Sequence, residues 1–200
     1  MKIDGDWAYK NRFLIGGGLA LAIVGVILYI NRKRVKKFGT DVMEYAQNKV
    51  WDVISESKIQ TLHPKIRDKA RELINRAEKE LGIKLRVTSG FRTWAEQDEL
   101  YAQGRTKAGS IVTNARGGYS NHNYGTAFDV VPVENGKVNW NSKRWNEIGA
   151  LGKKVGFNWG GDWQSIVDKP HFEMTFGNSL AQLRKKYLDG NKDGEYVKLA

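Results

Sequence analysis

Apolar positions fall into one long uncharged block followed by shorter periodic runs. The block is Phe13 to Ile30, eighteen residues without a charge. At ~1.5 Å per residue it spans ~27 Å, enough for a bilayer core. It predicts a transmembrane helix over 13–30, behind a short tail at 1–12. A cleaved signal peptide fits less well. The apolar run exceeds the usual ~7–15 residues, and Asn31-Arg32-Lys33-Arg34 follows with no small-residue cleavage site. Gly16, Gly17, Gly18, Ala20, Ala22 and Gly25 suit a helix-packing face or a weakened anchor. Residues 31–56 read as a basic juxtamembrane and helical linker. Val42, Tyr45, Ala46, Val50, Val53 and Ile54 recur there at helical spacing. That stripe suits a spacer or an extra helix packed on the domain that follows.

Residues 57–200 pattern as one folded domain. Pro64 opens a helix whose apolar positions are Ile66, Ala70, Leu73, Ile74, Ala77 and Leu81, and Gly82 can end it. Ile83, Leu85 and Val87 alternate as a half-buried strand does. Thr93 and Glu96 form a capping box for a helix to about Gln103, with Gly104 closing it. Residues 104–119 read as a polar surface loop. A strand is expected from Thr126 to Val131, stopping at Pro132. Asn135-Gly136 signals a hairpin, with Val138 and Trp140 on the return. Ser142 is placed to cap a helix to about Lys154. Gly156 to Trp163 is strand-and-turn material, His171 to Met174 a short strand, and Ser179 caps a last helix to Leu188. Irregular alternation with a hairpin predicts an α+β domain rather than a parallel βαβ sheet.

Charge changes the picture at the N-terminus. The net charge is +11, and residues 1–40 hold eight Lys/Arg against two Asp. More than half the excess therefore flanks the apolar block, which points to a membrane surface before nucleic acid. No nucleic-acid motif accompanies it. Arg32, Lys33, Arg34, Lys36 and Lys37 outweigh Lys2, Lys10 and Arg12. The positive-inside rule then places the C-terminal domain in the cytoplasm, unless a weak, Gly-rich anchor releases it. The chain has no cysteine, so disulfides and thiolate metal sites are excluded.

Two of the three histidines sit in paired motifs. Ser120-x-His122-x-x-Gly125-x-Ala127-x-Asp129 leads from a tight loop into a strand, and Asp168-x-x-His171 follows later. Two imidazoles and a carboxylate suit a catalytic zinc site, which keeps three protein ligands and an open position. This combination resembles the zinc peptidases of the cell wall: D-alanyl-D-alanine carboxypeptidases and dipeptidases, and L-alanyl-D-glutamate endopeptidases. Their fold is shared with Hedgehog signalling domains. Ser89-Gly90-Phe91-Arg92-Thr93 with Gln97 resembles the family's arginine segment. Leu100 to Arg105 and Trp159-Gly160-Gly161-Asp162-Trp163 look like the endopeptidase branch, common in phage endolysins and bacterial autolysins. The resemblance covers roughly residues 57–175.

That resemblance implies Zn2+ held by His122, Asp129 and His171. It implies Asp168 as the general base that later protonates the leaving amine. Arg92 would polarise the scissile carbonyl or grip a substrate carboxylate. Ser120, Gln97 and Trp163 are candidate substrate contacts, Ser120 being equally a turn former and Gln97 equally a support behind the site or an exposed helix residue. Trp159 reads as cleft wall or core, Glu173 as a partner of the last ligand, and Asp162 and His63 as structural. Asp168 and Pro170 stand where the D-alanyl-D-alanine branch tends to carry Glu and Trp, which favours cleavage of the peptidoglycan stem between L-Ala and D-Glu. The alternatives are a D-alanyl-D-alanine carboxypeptidase with the same site, and a zinc-stabilised wall-binding domain that does not cut. Asp189-Gly190-Asn191-Lys192-Asp193-Gly194 matches the first half of a calcium loop but lacks the glutamate at the twelfth position, Ala200.

Overall fold

A computed structural model describes residues 52–199. The expected membrane helix at 13–30 and most of the 31–56 linker lie outside them. Among the described residues no helix is long and apolar enough to cross a membrane.

Residues 52–60 are helical and belong to the packed unit rather than to a spacer. Ser55 and Ile59 are buried, and the Ser55 hydroxyl accepts a hydrogen bond from Val87 N at 3.1 Å. Glu56 holds the Arg71 guanidinium through two oxygens. Helix α1 (Pro64–Leu81) follows, its first turn capped by the His63 ring, which accepts from Lys65 N. Gly82 ends it in the left-handed conformation, as expected. Ile66, Ala70, Leu73 and Ala77 form its buried stripe. Full burial of each large aliphatic side chain contributes about 1.5–3 kcal/mol.

That stripe packs against β1 (Lys84–Ser89) and the later helix α3 (Trp145–Val155). Helix α2 (Trp94–Ala102) has the capping box read from Thr93 and Glu96, with both bonds formed. The 3-10 turn Asn121–Tyr124 then leads into β2 (Ala127–Glu134). Strand β2 is central, flanked by antiparallel β1 on one side and by β5 (His171–Glu173) and β3 (Lys137–Val138) on the other. Strand β4 (Asn158–Trp159) pairs with β5 at the edge. Helix α4 (Leu180–Leu188), capped by Ser179, and the hairpin β6 (Lys192–Asp193)–β7 (Tyr196–Val197) form a second small cluster, with Tyr124, Leu183 and Val197 at its centre. The domain is α+β.

Three readings depart from the sequence expectation. The return strand stops at Val138, leaving Trp140 in a turn. Strand β2 continues through Pro132. The Pro132 carbonyl accepts from Asn139 N on the side away from β1, so no ladder bond to β1 needs the missing N–H. Ser142 does not cap α3, whose N-cap is Arg144. Its hydroxyl instead donates to Glu134 and accepts from Arg144 N, fastening the end of β2 to the approach to the helix.

Strand alternation decides where chemistry lies. Phe128 and Val130 of β2 and Phe172 of β5 enter the core with the helices. Asp129, His171 and Glu173 therefore point to the opposite face. The register pairs Asp129 directly with His171 and Phe128 with Phe172. One register thus fills the core and assembles half of the site.

Candidate metal centre and active site

His122 reaches the same place from the 3-10 turn. The Ser120 hydroxyl accepts from His122 N at 3.3 Å, and Gly125 ends the turn at φ 68°. A side chain at Gly125 would be strained there, and its Cβ would meet His63 N at 2.7 Å. The motif serine and glycine therefore shape the loop that presents the histidine. Asn123, buried within that loop, accepts from Gly118 N and donates to the Arg92 carbonyl at 2.8 Å. His122 O in turn accepts from Arg92 N at 3.0 Å, sewing the histidine and arginine segments together.

Three lone-pair atoms converge. His122 Nε2 lies 3.3 Å from Asp129 Oδ1, His171 Nδ1 lies 3.2 Å from the same oxygen, and the two nitrogens are 3.2 Å apart. The outer ring atoms fix the tautomers. His122 Nδ1 is 2.8 Å from the Gly90 carbonyl, and His171 Nε2 is 3.0 Å from Glu173 Oε2. An N–H at each of these outer nitrogens leaves the inner nitrogens as bare acceptors. Two imidazole lone pairs and a carboxylate facing one another in a buried place repel unless a cation lies between them. Ligands ~2.0–2.1 Å from a tetrahedral zinc stand ~3.3 Å apart, which matches all three separations. The set could hold a metal ion, and among the described residues it is the one such group of His, Cys, Asp and Glu.

Asn121 extends the outer support by donating to Glu173 Oε2 at 2.7 Å. Its position inside the motif carried no chemical signal, because its target lies 52 residues away. Glu173 takes the partner role expected for it.

The protonation of the metal-free site follows from this geometry. Burial disfavours the His171 imidazolium, but Asp129 and Glu173 outweigh it and raise its pKa to about 9. Burial likewise opposes the Asp129 carboxylate, yet the two imidazoles hold its pKa below the usual range. A raised histidine pKa stabilises the metal-free fold fully below the ordinary ~6.5, and this contribution fades as pH rises through about 9. Metal must displace that proton. Zinc affinity is expected to climb about tenfold per pH unit up to pH ~9 and then flatten, with proton release at neutral pH. Calorimetry at pH 7.5 in buffers of different ionisation enthalpy measures the release, and an equal heat in every buffer would contradict it.

Asp168 lines the same cleft. Its amide donates to Gly160 O at 3.0 Å and its carbonyl accepts from His171 N at 3.2 Å, so a tight turn across Pro170 brings it to the metal donors. Among the described residues nothing donates a hydrogen bond to its carboxylate. Burial, then the Asp129 charge, raises its pKa. Arg92 donates to Gln97 Oε1 at 2.7 Å and Ser89 Oγ at 2.9 Å. Ser89 is presented by a bulge in β1, where the register shifts between Val87 and Ser89 and Ser89 comes to face Asp129. The half-exposed Trp163 indole tilts against the His171 ring, centroids 5.0 Å apart, and walls the cleft.

Gln97 is not a substrate contact. It is fully buried, its Oε1 is taken by Arg92, and its Nε2 donates to Ala115 O at 2.8 Å and Thr113 Oγ1 at 3.3 Å. It holds the arginine from beneath. Trp159 is core, with its N–H on Lys169 O, and Asp162 pairs with Lys153. His63 is structural, bonded between Lys65 N and Val197 O. No calcium loop is built at 189–194: Asp189 pairs with Lys185, and Asp193 lies in β6.

Two imidazoles and a carboxylate beside a free carboxyl group suit a zinc hydrolase. The comparisons with known proteins are specific. Residues 113–174 match the model of a family described as D-alanyl-D-alanine carboxypeptidase. The chain is 43% identical over 140 residues to the peptidoglycan L-alanyl-D-glutamate endopeptidase CwlK of Bacillus subtilis, covering 65% of this chain and 81% of that protein. It is 30% identical over 110 residues to the L-alanyl-D-glutamate peptidase of Listeria phage A118, covering 54% of this chain and 36% of that one. Among solved structures, the Serratia marcescens L-Ala D-Glu endopeptidase ChiX matches at 25% identity and a TM-score of 0.43, over 62% of this chain and 87% of that one. The chain belongs to the zinc D-alanyl-D-alanine carboxypeptidase and L-alanyl-D-glutamate endopeptidase family.

Proposed function

We propose that the protein hydrolyses the peptide stem of peptidoglycan, at the bond between L-Ala and D-Glu. The observation that carries this reading is the 43% identity spanning 81% of an enzyme named for that cleavage, on a chain whose own donor set is complete. Asp168 followed by Pro170 favours the same branch.

His122 Nε2, Asp129 Oδ1 and His171 Nδ1 would hold the zinc. Bound there, it would act as a Lewis acid and lower the pKa of a water toward ~7. Asp168 takes the proton from the attacking water. The same carboxyl group then delivers it to the departing amine nitrogen, a role suited to a carboxyl whose burial already favours the protonated form. Arg92, fixed by Gln97 and Ser89, sets positive charge beside the oxygen where negative charge develops. Trp163 covers one side of the cleft and limits access of bulk water.

Digestion of purified peptidoglycan by the zinc-loaded full chain tests the reading. Mass spectrometry should find new D-Glu amino termini that vanish with a chelator. Release of D-Ala alone would place the protein in the carboxypeptidase branch, and no product would favour a wall-binding domain.

The 13–30 block is read as a single-pass anchor, on its eighteen uncharged residues and basic flanks. The domain acts on the wall from the outer side, against the direction that the flanking charge favours. A C-terminal reporter active only outside the cytoplasm should give signal in cells, and a silent reporter with full expression would reverse the orientation.

A further inference from the structure

The cleft carries two guanidinium groups in different circumstances. Arg92 already commits one N–H of each terminal nitrogen, to Gln97 and to Ser89. Arg116 lines the same cleft, and among the described residues nothing accepts a hydrogen bond from its guanidinium and no carboxylate pairs with it. Its backbone is nevertheless fastened on both sides. Ala115 O accepts from Gln97 Nε2, and Gly117 N donates to Asp98 Oδ1 at 2.8 Å. Gly117 sits so close to α2 that a Cβ there would meet Trp94 O at 2.6 Å.

The guanidinium itself lies over the Tyr101 ring, 4.7 Å from the centroid. The same ring also holds Arg105, at 4.0 Å. Arg105, however, donates to Tyr101 O, Thr113 O and Asn114 Oδ1, so it serves the loop. Arg116 is thus placed by stacking while its N–H groups stay unspent, which suits a fork meant for an incoming carboxylate.

The stem offers one. When D-Glu is joined to the next residue through its γ-carboxyl, its α-carboxylate stays free beside the scissile nitrogen. In amidated stems that group is a neutral carboxamide. We propose that Arg116 recognises this α-carboxylate and makes the enzyme select unamidated stems. The proposal rests on the stem-peptidase reading above. It leaves Arg92 to the scissile carbonyl, and Gln97, bonded to both segments, keeps the two guanidinium groups in register.

The test compares L-Ala-γ-D-Glu-L-Lys with its α-amide. Binding is measured by calorimetry on zinc-loaded Asp168→Asn protein, and cleavage on protein that retains Asp168. The acid is expected to bind about tenfold more tightly at low salt, as a charge-assisted hydrogen bond implies. In the double variant Asp168→Asn/Arg116→Gln that gap closes, and Arg116→Lys in the same background restores part of it. In cleavage, Arg116→Gln raises KM for the acid stem. Equal affinity for the two stems, or a preference that survives Arg116→Gln, would overturn the proposal. If neither stem is cut while the Arg116-dependent preference holds, the bond assignment falls and the recognition stands.

Discussion

Asp168→Asn should lower stem hydrolysis by about 10³-fold, the middle of the range for loss of one general acid–base group, while zinc content stays at that of the parent. An amide cannot take a proton from water or return one to the amine. The fold should not suffer. Among the described residues nothing donates to the Asp168 carboxylate, so no partner is left stranded. The substitution also removes a charge that burial and Asp129 disfavour. With a raised carboxyl pKa, the ionised side chain costs stability at every pH above that pKa. Metal-free Asp168→Asn protein is therefore expected to melt slightly higher than the parent at pH 7. Turnover by single-turnover assay, zinc by atomic spectroscopy and melting by calorimetry separate these effects. Retained hydrolysis would remove Asp168 as the base, and lost zinc would make it a ligand.

His122→Ala should act on the metal first. It removes Nε2 from the donor triangle and leaves two protein ligands, Asp129 and His171. Loss of an outer partner typically costs about 10–100-fold in metal affinity, and loss of a ligand should exceed that range. Hydrolysis should disappear with the metal. The substitution also strands the Gly90 carbonyl, which accepts from His122 Nδ1. An unsatisfied buried acceptor costs about 1–3 kcal/mol, so the metal-free variant should melt lower than the metal-free parent, opposite in sign to Asp168→Asn. Competition against a chromophoric chelator gives the affinity. A variant that binds zinc as tightly as the parent would refute the donor set.

The opposite signs come from how each residue is held. Among the described residues Asp168 is tied only through its backbone, and nothing donates to its carboxylate in the cleft. His122 is tied through backbone, ring and capping turn.

Much of this was legible along the chain because it is written locally. The Thr93 and Ser179 caps, the αL glycine after α1 and the Asn135-Gly136 hairpin act within four residues or so of themselves, and each forms as read. The identities at the site were legible for a different reason. His122, Asp129, Asp168 and His171 sit in short motifs that resemble the family's, and the resemblance supplies their roles. What the sequence could not state was which long-range partner each side chain finds. Gln97 is a polar helix residue until the loop at 113–115 and Arg92 close over it. Glu173 becomes the partner of His171 only because strand alternation turns both to one face. Pro132 and Ser142 escape local reading because Asn139 and Ser142 fold back past the hairpin onto Pro132 and Glu134 of β2. The sequence alone therefore determined the elements and the donor types. Tertiary structure decided the donor triangle, because a strand register that packs Phe128 on Phe172 must also set Asp129 beside His171.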